Sequence, residues 1–272
     1  MPKPSRRSLS MAQQADRHAL YEESVQDPET ELAFVAETFA ELTNRPLKRL
    51  REDFCGTANT AVAWVRQAGD HQAIGVDLDA EVLAWGQRHH VKPLTPEQRA
   101  RLRLIQADVR SADAGPVDAV LAMNFSYYLF TTREALRDYF ESVRSGLVED
   151  GVLFLDAFGG YDAHRELEER TEFDDFTYVW DQASFDPIHH HMTCQIHFEF
   201  SDGSELKKAF EYHWRLWTLP EIRELLLEAG FSSATVYWEG TDESTGEGDG
   251  IYSPSECGDA DAGWICYLVA TR

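Results

Sequence analysis

The chain has 272 residues, 43% hydrophobic and 12% aromatic, which suits one large domain or one domain carrying an insertion and excludes disorder as the default. Lys and Arg number 25 against 48 Asp and Glu, a net charge of −23 that argues against nucleic acid as a partner, because duplex binding runs on phosphate neutralisation by cations. No apolar run approaches the ~20 residues that span a bilayer, and Cys55, Cys194, Cys257 and Cys266 show no paired spacing, so a reduced, cytoplasmic protein is expected.

The opening MPKPSRRSLSMAQQADRH has basic residues but no apolar core, so it does not read as a secretory signal, and residues 1–15 are expected to be a disordered tail. Asp27 and Pro28 then start a helix whose Leu32, Val35, Phe39 and Leu42 fall at helical spacing, within an N-terminal helical segment over 16–44. From there short apolar runs alternate with helical patterns. Strands are predicted at 47–53, 73–77, 102–108, 117–123 and 151–158, with helices at 57–68, 79–90 and 131–147. That alternation predicts an α/β fold with a doubly wound, mostly parallel sheet over 45–160. Three long β-branched and aromatic stretches follow within 161–217 and read as an antiparallel β insertion. Residues 218–272 supply a helix starting at Pro220 and a closing strand pair at 233–240 and 263–270. The acidic, Gly-rich segment between that pair is expected to be mobile.

The first strand runs into Glu52-Asp53-Phe54-Cys55-Gly56-Thr57-Ala58, a strand-to-helix turn that offers backbone N–H groups to a ligand. Read alone it serves equally as a plain tight turn. Asp77 ends the next strand 21 residues after Gly56, the spacing expected of a carboxylate that accepts ribose hydroxyls, although a helix-capping role would fit too. Asp108 ends the third strand, where a carboxylate can accept from an adenine amine. Three such features at the carboxyl ends of successive parallel strands define a ligand crevice.

These residues resemble the class I S-adenosylmethionine-dependent methyltransferases. LREDFCGTA resembles that family's glycine-rich first motif, with Glu52 in the acid position, Gly56 as the central glycine, and Phe54 and Ala58 replacing the outer two. GVDLD resembles the second-strand motif, which implies Asp77 on the ribose and Leu78 beside the adenine. QADVR resembles the adenine-edge motif, which implies Asp108 on the exocyclic amine and Val109 donating to the ring. AMNFSYYLF stands in the place of the fourth-strand motif facing the reactive methyl, which makes Asn124, Tyr127 and Tyr128 the candidate catalytic residues. The methionine portion would be held at Asp53, Cys55, Gly56 and Thr57, with Asn124 and Phe125 completing the cofactor set. The REDFCGTA pattern is similar to a bacterial methyltransferase group without assigned substrates. The insertion before the last helix resembles glycine, sarcosine and sugar N-methyltransferases, and the resemblance implies a seven-stranded Rossmann-like sheet with 16–44 as a helical lid and 161–217 as a substrate cap.

The expected activity is methyl transfer from S-adenosylmethionine to a small molecule, yielding S-adenosylhomocysteine. The absence of an evident base favours an amine nitrogen over an oxygen acceptor. A non-catalytic cofactor binder and an NAD-dependent oxidoreductase are the rival readings, the latter opposed by the missing glycines. Tyr21, Tyr161, Trp180 and Arg215 are the candidate acceptor-binding residues, Arg215 as a carboxylate partner. No metal is expected, since His189, His190 and His191 alternate faces if extended and make poor joint ligands.

Overall fold

Each helix start that the sequence signals is realised by a side-chain cap. The computed structural model describes residues 9–242, 244–246 and 248–272. Asp27 caps α3 (Pro28–Thr43) by accepting from Thr30 N–H, and α3 buries Leu32, Val35, Thr38 and Phe39 on one stripe. Asp79 caps α5 (Ala80–Gly86), which runs on into a single π-type turn at Gln87–Val91. Thr132 caps α7 (Arg133–Gly146), whose Leu136, Tyr139, Phe140 and Val143 are buried, and Thr218 with Glu221 forms a capping box at α8 (Leu219–Glu228). The exception is α4 (Asn59–Gln67), where Ala58 stands at the cap with no side-chain bond to give. Short helices α1 (Met11–Gln14), α2 (Arg17–Val25) and α6 (Pro96–Arg99) complete the set.

Strands β1 (Arg49–Asp53), β2 (Gln72–Asp77), β3 (Leu102–Gln106), β4 (Val117–Ala122) and β5 (Leu147–Gly159) are mutually parallel, as the alternation with helices requires. Antiparallel β10 (Ser233–Thr241), β11 (Gly248–Ser255) and β12 (Trp264–Thr271) extend the sheet to eight strands in the order β11-β10-β12-β5-β4-β1-β2-β3. Strand β4 is buried throughout, as the run VDAVLA, apolar but for Asp118, demands of a strand covered on both faces. One face packs Leu50, Leu121 and Phe154 against Leu32 and Phe39 of α3 and Val62 and Val65 of α4. A second sheet of four antiparallel strands contains β6 (Leu167–Glu172), β7 (Phe176–Asp186), β8 (His191–Phe200) and β9 (Glu205–Arg215), in that order. Its core is Phe176, Ile196, Phe198 and Ala209, joined by Leu20 and Tyr21 of α2.

The chain divides into two compact units, one taking the chain up to Gln26 with His164–Arg215, the other Asp27–Ala163 with Leu216–Arg272. This redraws the expected 16–44 lid, because α2 belongs to the smaller unit and α3 to the larger. Of the stretch expected to be a tail, residues 1–8 lie outside the described residues, while Met11–Gln14 is helical and capped by Ser10. The insertion holds four strands, not three; Leu167–Glu172, rich in charge, carried no apolar signal but pairs along the edge with β7. The segment expected to be mobile contributes β11, which pairs with β10 from Val236↔Ser255 to Thr241↔Gly248. No helix among the described residues is long and apolar enough to cross a membrane.

Candidate functional site

The turn after β1 adopts the left-handed conformation at every second residue, with φ of 56° at Phe54, 53° at Gly56 and 63° at Ala58. Only the middle position carries the glycine that this geometry favours, so the outer two store roughly 1–2 kcal/mol each. Tertiary bonds hold the turn in place. Cys55 N–H donates to Val76 O at 3.0 Å, Ala58 N–H to Cys55 O at 2.7 Å, and Gly56 N–H to Asp77 Oδ2 at 2.8 Å. Phe54 turns its ring toward Phe130 and Tyr139, with centroids 6.0 and 5.7 Å away, and so packs into the core. A Cβ added at Gly56 would find nothing closer than Val82 at 4.0 Å, so the turn is open on that side. Cys55 is buried against Gly75, and burial pushes its thiol well above the ordinary range; its side chain is packing.

Four carboxylates sit at or near the carboxyl ends of the parallel strands, and they divide by face. Glu52 is buried and accepts from Ala61 N–H at 2.8 Å in the first turn of α4, doing for that helix what Ala58 cannot. Burial, with repulsion from Glu31 and Asp77, pushes its carboxyl up to about 8. Asp53 points the other way, as its neighbour in a strand must. It pairs with Arg51 Nε at 2.6 Å and accepts from the Tyr139 hydroxyl at 3.0 Å, so the expected role on the methionine portion is corrected to a buried structural pair. Asp77 accepts from Gly56 N–H through Oδ2 and from Asp79 N–H through Oδ1, each at 2.8 Å, and burial raises its pKa. One lone pair on each oxygen remains for a diol. Leu78 beside it is 69% exposed, a flat apolar wall with no protein cover. Asp108 is bound by Arg110, Nε at 3.0 Å and Nη2 at 2.6 Å, which lowers its pKa. Val109 is buried with its carbonyl on Arg51, and its N–H has no protein partner among the described residues.

The loop after β4 holds two successive left-handed residues, Asn124 (φ 57°) and Phe125 (φ 55°). Asp156 of β5 imposes this, its carboxylate accepting from Asn124 N–H at 2.6 Å and Phe125 N–H at 2.8 Å. Burial pushes Asp156 up to about 7. The Asn124 side chain is half-buried, and its amide has no protein partner among the described residues. Tyr127 and Tyr128, expected to be catalytic, are wholly buried. Their hydroxyls donate to Asp156 O at 2.8 Å and Phe158 O at 3.4 Å, so they anchor the loop from below. A tyrosine pair in a one-turn 3₁₀ segment (Ser126–Leu129) puts both rings inward, which linear spacing did not reveal. Two functional candidates escaped the sequence reading. Asp156 is the one acid in the apolar run VLFLDAF, a signal that was present, and Glu31 reads from sequence as an ordinary first-turn acid of α3.

The expected acceptor residues are divided between the two units. In the smaller unit Tyr21 packs on Phe210 at 4.9 Å, Trp180 lies 6.0 Å from Trp214, and Arg215 ends β9 opposite His191. Tyr161 belongs to the larger unit and is 64% exposed. Among the described residues no group of three or more His, Cys, Asp or Glu is arranged to hold a metal; His189 instead pairs with Asp186 at 2.6 Å.

Residues 54–151 match the family model described as a methyltransferase domain. No curated protein matches the sequence. The structure is similar to that of a S-adenosylmethionine-dependent methyltransferase from Clostridium acetobutylicum, with TM-score 0.66 and 17% identity over 93% of this chain and 96% of that one. It is similar to an amino pentose methyltransferase from Micromonospora echinaspora, with TM-score 0.65 and 18% identity over 94% and 95%. A sugar N-methyltransferase from a Streptoalloteichus species gives TM-score 0.62 and 17% identity over 100% and 98%. The fold is therefore the Rossmann-like fold of these methyltransferases, with an antiparallel sheet added.

Proposed function

We propose that this protein is a S-adenosylmethionine-dependent methyltransferase acting on the amine nitrogen of a small molecule. The observation that carries the reading is the Asp77–Gly56 bond, which ties the second-strand carboxylate to an open left-handed turn at the crevice. The residues present fit the cofactor. Asp77 has lone pairs for the ribose diol, exposed Leu78 offers a wall for the adenine, the Val109 N–H is available to a ring nitrogen, and the turn at 55–57 presents backbone to the methionine portion. Asp108 would serve the adenine amine once Arg110 yields an oxygen. When bound, the cofactor supplies an activated methyl on a sulfonium. The protein's own work is to bind, orient and exclude water. Asn124 and Phe125, fixed by Asp156, border the place of transfer.

The nitrogen acceptor is supported by the amino sugar activities of similar structures. For the smaller unit we propose a role in acceptor selection carried by the ring-rich face of Tyr21, Trp180 and Tyr212, with Arg215 as an acid partner. A reduced, cytoplasmic setting agrees with four free cysteines, three of them buried. Calorimetric titration with S-adenosylmethionine, S-adenosylhomocysteine and NADH tests the cofactor. Micromolar binding of both sulfur nucleosides and none of NADH is expected; silence from both would overturn the reading. Label transfer from S-adenosyl-[methyl-³H]methionine to a panel of amino sugars and amino acids against hydroxyl compounds then separates nitrogen from oxygen acceptors. It also separates an enzyme from a binder.

A further inference from the structure

Strands β5 and β12 lie beyond β4 from the nucleoside side of the sheet, and α3 covers one face there. Phe34 of α3 stacks on Tyr267 of β12 at 4.3 Å and meets Phe154 and Tyr252 edge-on at 6.2 and 6.1 Å. Glu31 precedes Phe34 by one helical turn and so occupies the same face, nearer the start of α3. Asp156 stands directly opposite Tyr267 in the β5–β12 register. Glu31 is half-buried, and its carboxylate keeps some accessible surface. Among the described residues it has no hydrogen-bond or ion-pair partner, and no cation neutralises Asp156 either. Desolvation, then repulsion from Asp156 and Asp27, pushes Glu31 up to about 8. The Tyr267 hydroxyl is raised in turn, first by burial and then by Glu31 and Asp156. A half-buried, unpaired carboxylate beside a second acid and an aromatic wall is destabilising as it stands. It becomes favourable when an organic ammonium enters, through charge pairing and ring quadrupoles.

We propose that Glu31 binds the protonated amine of the methyl acceptor and takes its proton, with Asp156 and the Tyr267–Tyr252 wall completing the ammonium site. The inference rests on the methyltransferase reading and deepens it. The N–H bond breaks, its electron pair stays on nitrogen as the lone pair needed for attack, and an O–H bond forms on Glu31. Glu31 later releases the proton to water. A carboxyl near neutrality is matched to this task, whereas an ordinary glutamate would leave the ammonium charged. The titratable groups facing Glu31 are Asp27 on its own helix, Glu52 on β1, Asp156 on β5 and Tyr267 on β12.

Sinefungin tests this, because it carries an ammonium where S-adenosylmethionine carries its methyl sulfonium, and S-adenosylhomocysteine carries neither. Calorimetry on the full chain would measure the affinity ratio of sinefungin to S-adenosylhomocysteine from pH 6 to 8.5. In wild type the ratio should rise at least tenfold across that range as Glu31 ionises. In Glu31→Gln it should fall at least tenfold at pH 8 and lose most of its rise, the remainder coming from Asp156 and Glu52. An E31Q ratio and pH profile equal to wild type would overturn the inference while leaving the methyltransferase reading intact. A wild-type ratio flat with pH would overturn it too, with no variant involved. Failure of wild type to bind either nucleoside would remove the reading and the inference together.

Discussion

Gly86 ends α5 with its backbone pressed against the turn after β1, proposed to hold the cofactor. A Cβ built there overlaps the Thr57 carbonyl oxygen and falls 2.7 Å from its carbon and 3.0 Å from Cα, where ordinary contact starts at 3.4 Å. In Gly86→Ala the clash with the Thr57 carbonyl oxygen means that either α5 or the turn must move by roughly 1 Å or more, and both are backbone. The turn is the softer partner, because two of its three left-handed residues are already strained. Overpacking of this kind costs ~1–3 kcal/mol in stability. Displacing Gly56 and Thr57 by that much should also weaken nucleoside binding, since misplacement near 1 Å is worth up to ~100-fold. Urea unfolding and titration with S-adenosylhomocysteine measure the two effects separately. Gly69→Ala is the control, because a Cβ there meets nothing within 4 Å. A G86A protein that binds S-adenosylhomocysteine as wild type does would refute the idea that the α5–turn contact sets the site.

Asp77→Ala removes the acceptor of Gly56 N–H along with the carboxylate proposed for the ribose, and should cost ~3 kcal/mol or more in S-adenosylhomocysteine binding, read by calorimetry; unchanged affinity would sink the proposed site. Tyr127→Phe should lower stability by ~1 kcal/mol through the lost bond to Asp156 O while leaving kcat within twofold, whereas a large loss of kcat at full occupancy would restore the catalytic role denied above. Stability should also fall as pH rises from about 5 to 8. Glu31, Glu52 and Asp156 have folded pKa values of about 8, 8 and 7 against ordinary values of 4.5, 4.5 and 3.8, so the folded state holds more protons across that window and loses the advantage as they ionise. The lowered carboxylates Asp27, Asp108 and Asp150 act the other way only below their ordinary 3.8. A urea midpoint that climbs between pH 5.5 and 8 would contradict this.

The parts of the molecule legible in the sequence are those specified by local pattern. Five parallel strands follow from apolar runs bounded by caps, and Asp77 follows from its position at a strand end, because a strand exit fixes where a carboxylate points. The left-handed turn was half legible: Gly56 announces φ above zero, but Phe54 and Ala58 do not, since their conformation is enforced from outside by Val76, Asp77 and the Phe130–Tyr139 pocket. Strand β11 was hidden for a related reason. Its GDGIYSPS has turn composition, and it becomes a strand only because β10 offers an unpaired edge.

The acids were hardest to sort, because 48 carboxylates make any one of them unremarkable in a linear string. Environment separates them. Asp53 and Glu52 are neighbours, yet the two-residue period of β1 sends one to Arg51 and the other to the head of α4. Asp156 holds a loop by its backbone, and Glu31 holds nothing. A carboxylate held unpaired beside a second acid is unfavourable for folding alone, which is the physical ground for proposing a cationic ligand at Glu31 rather than a part in the scaffold.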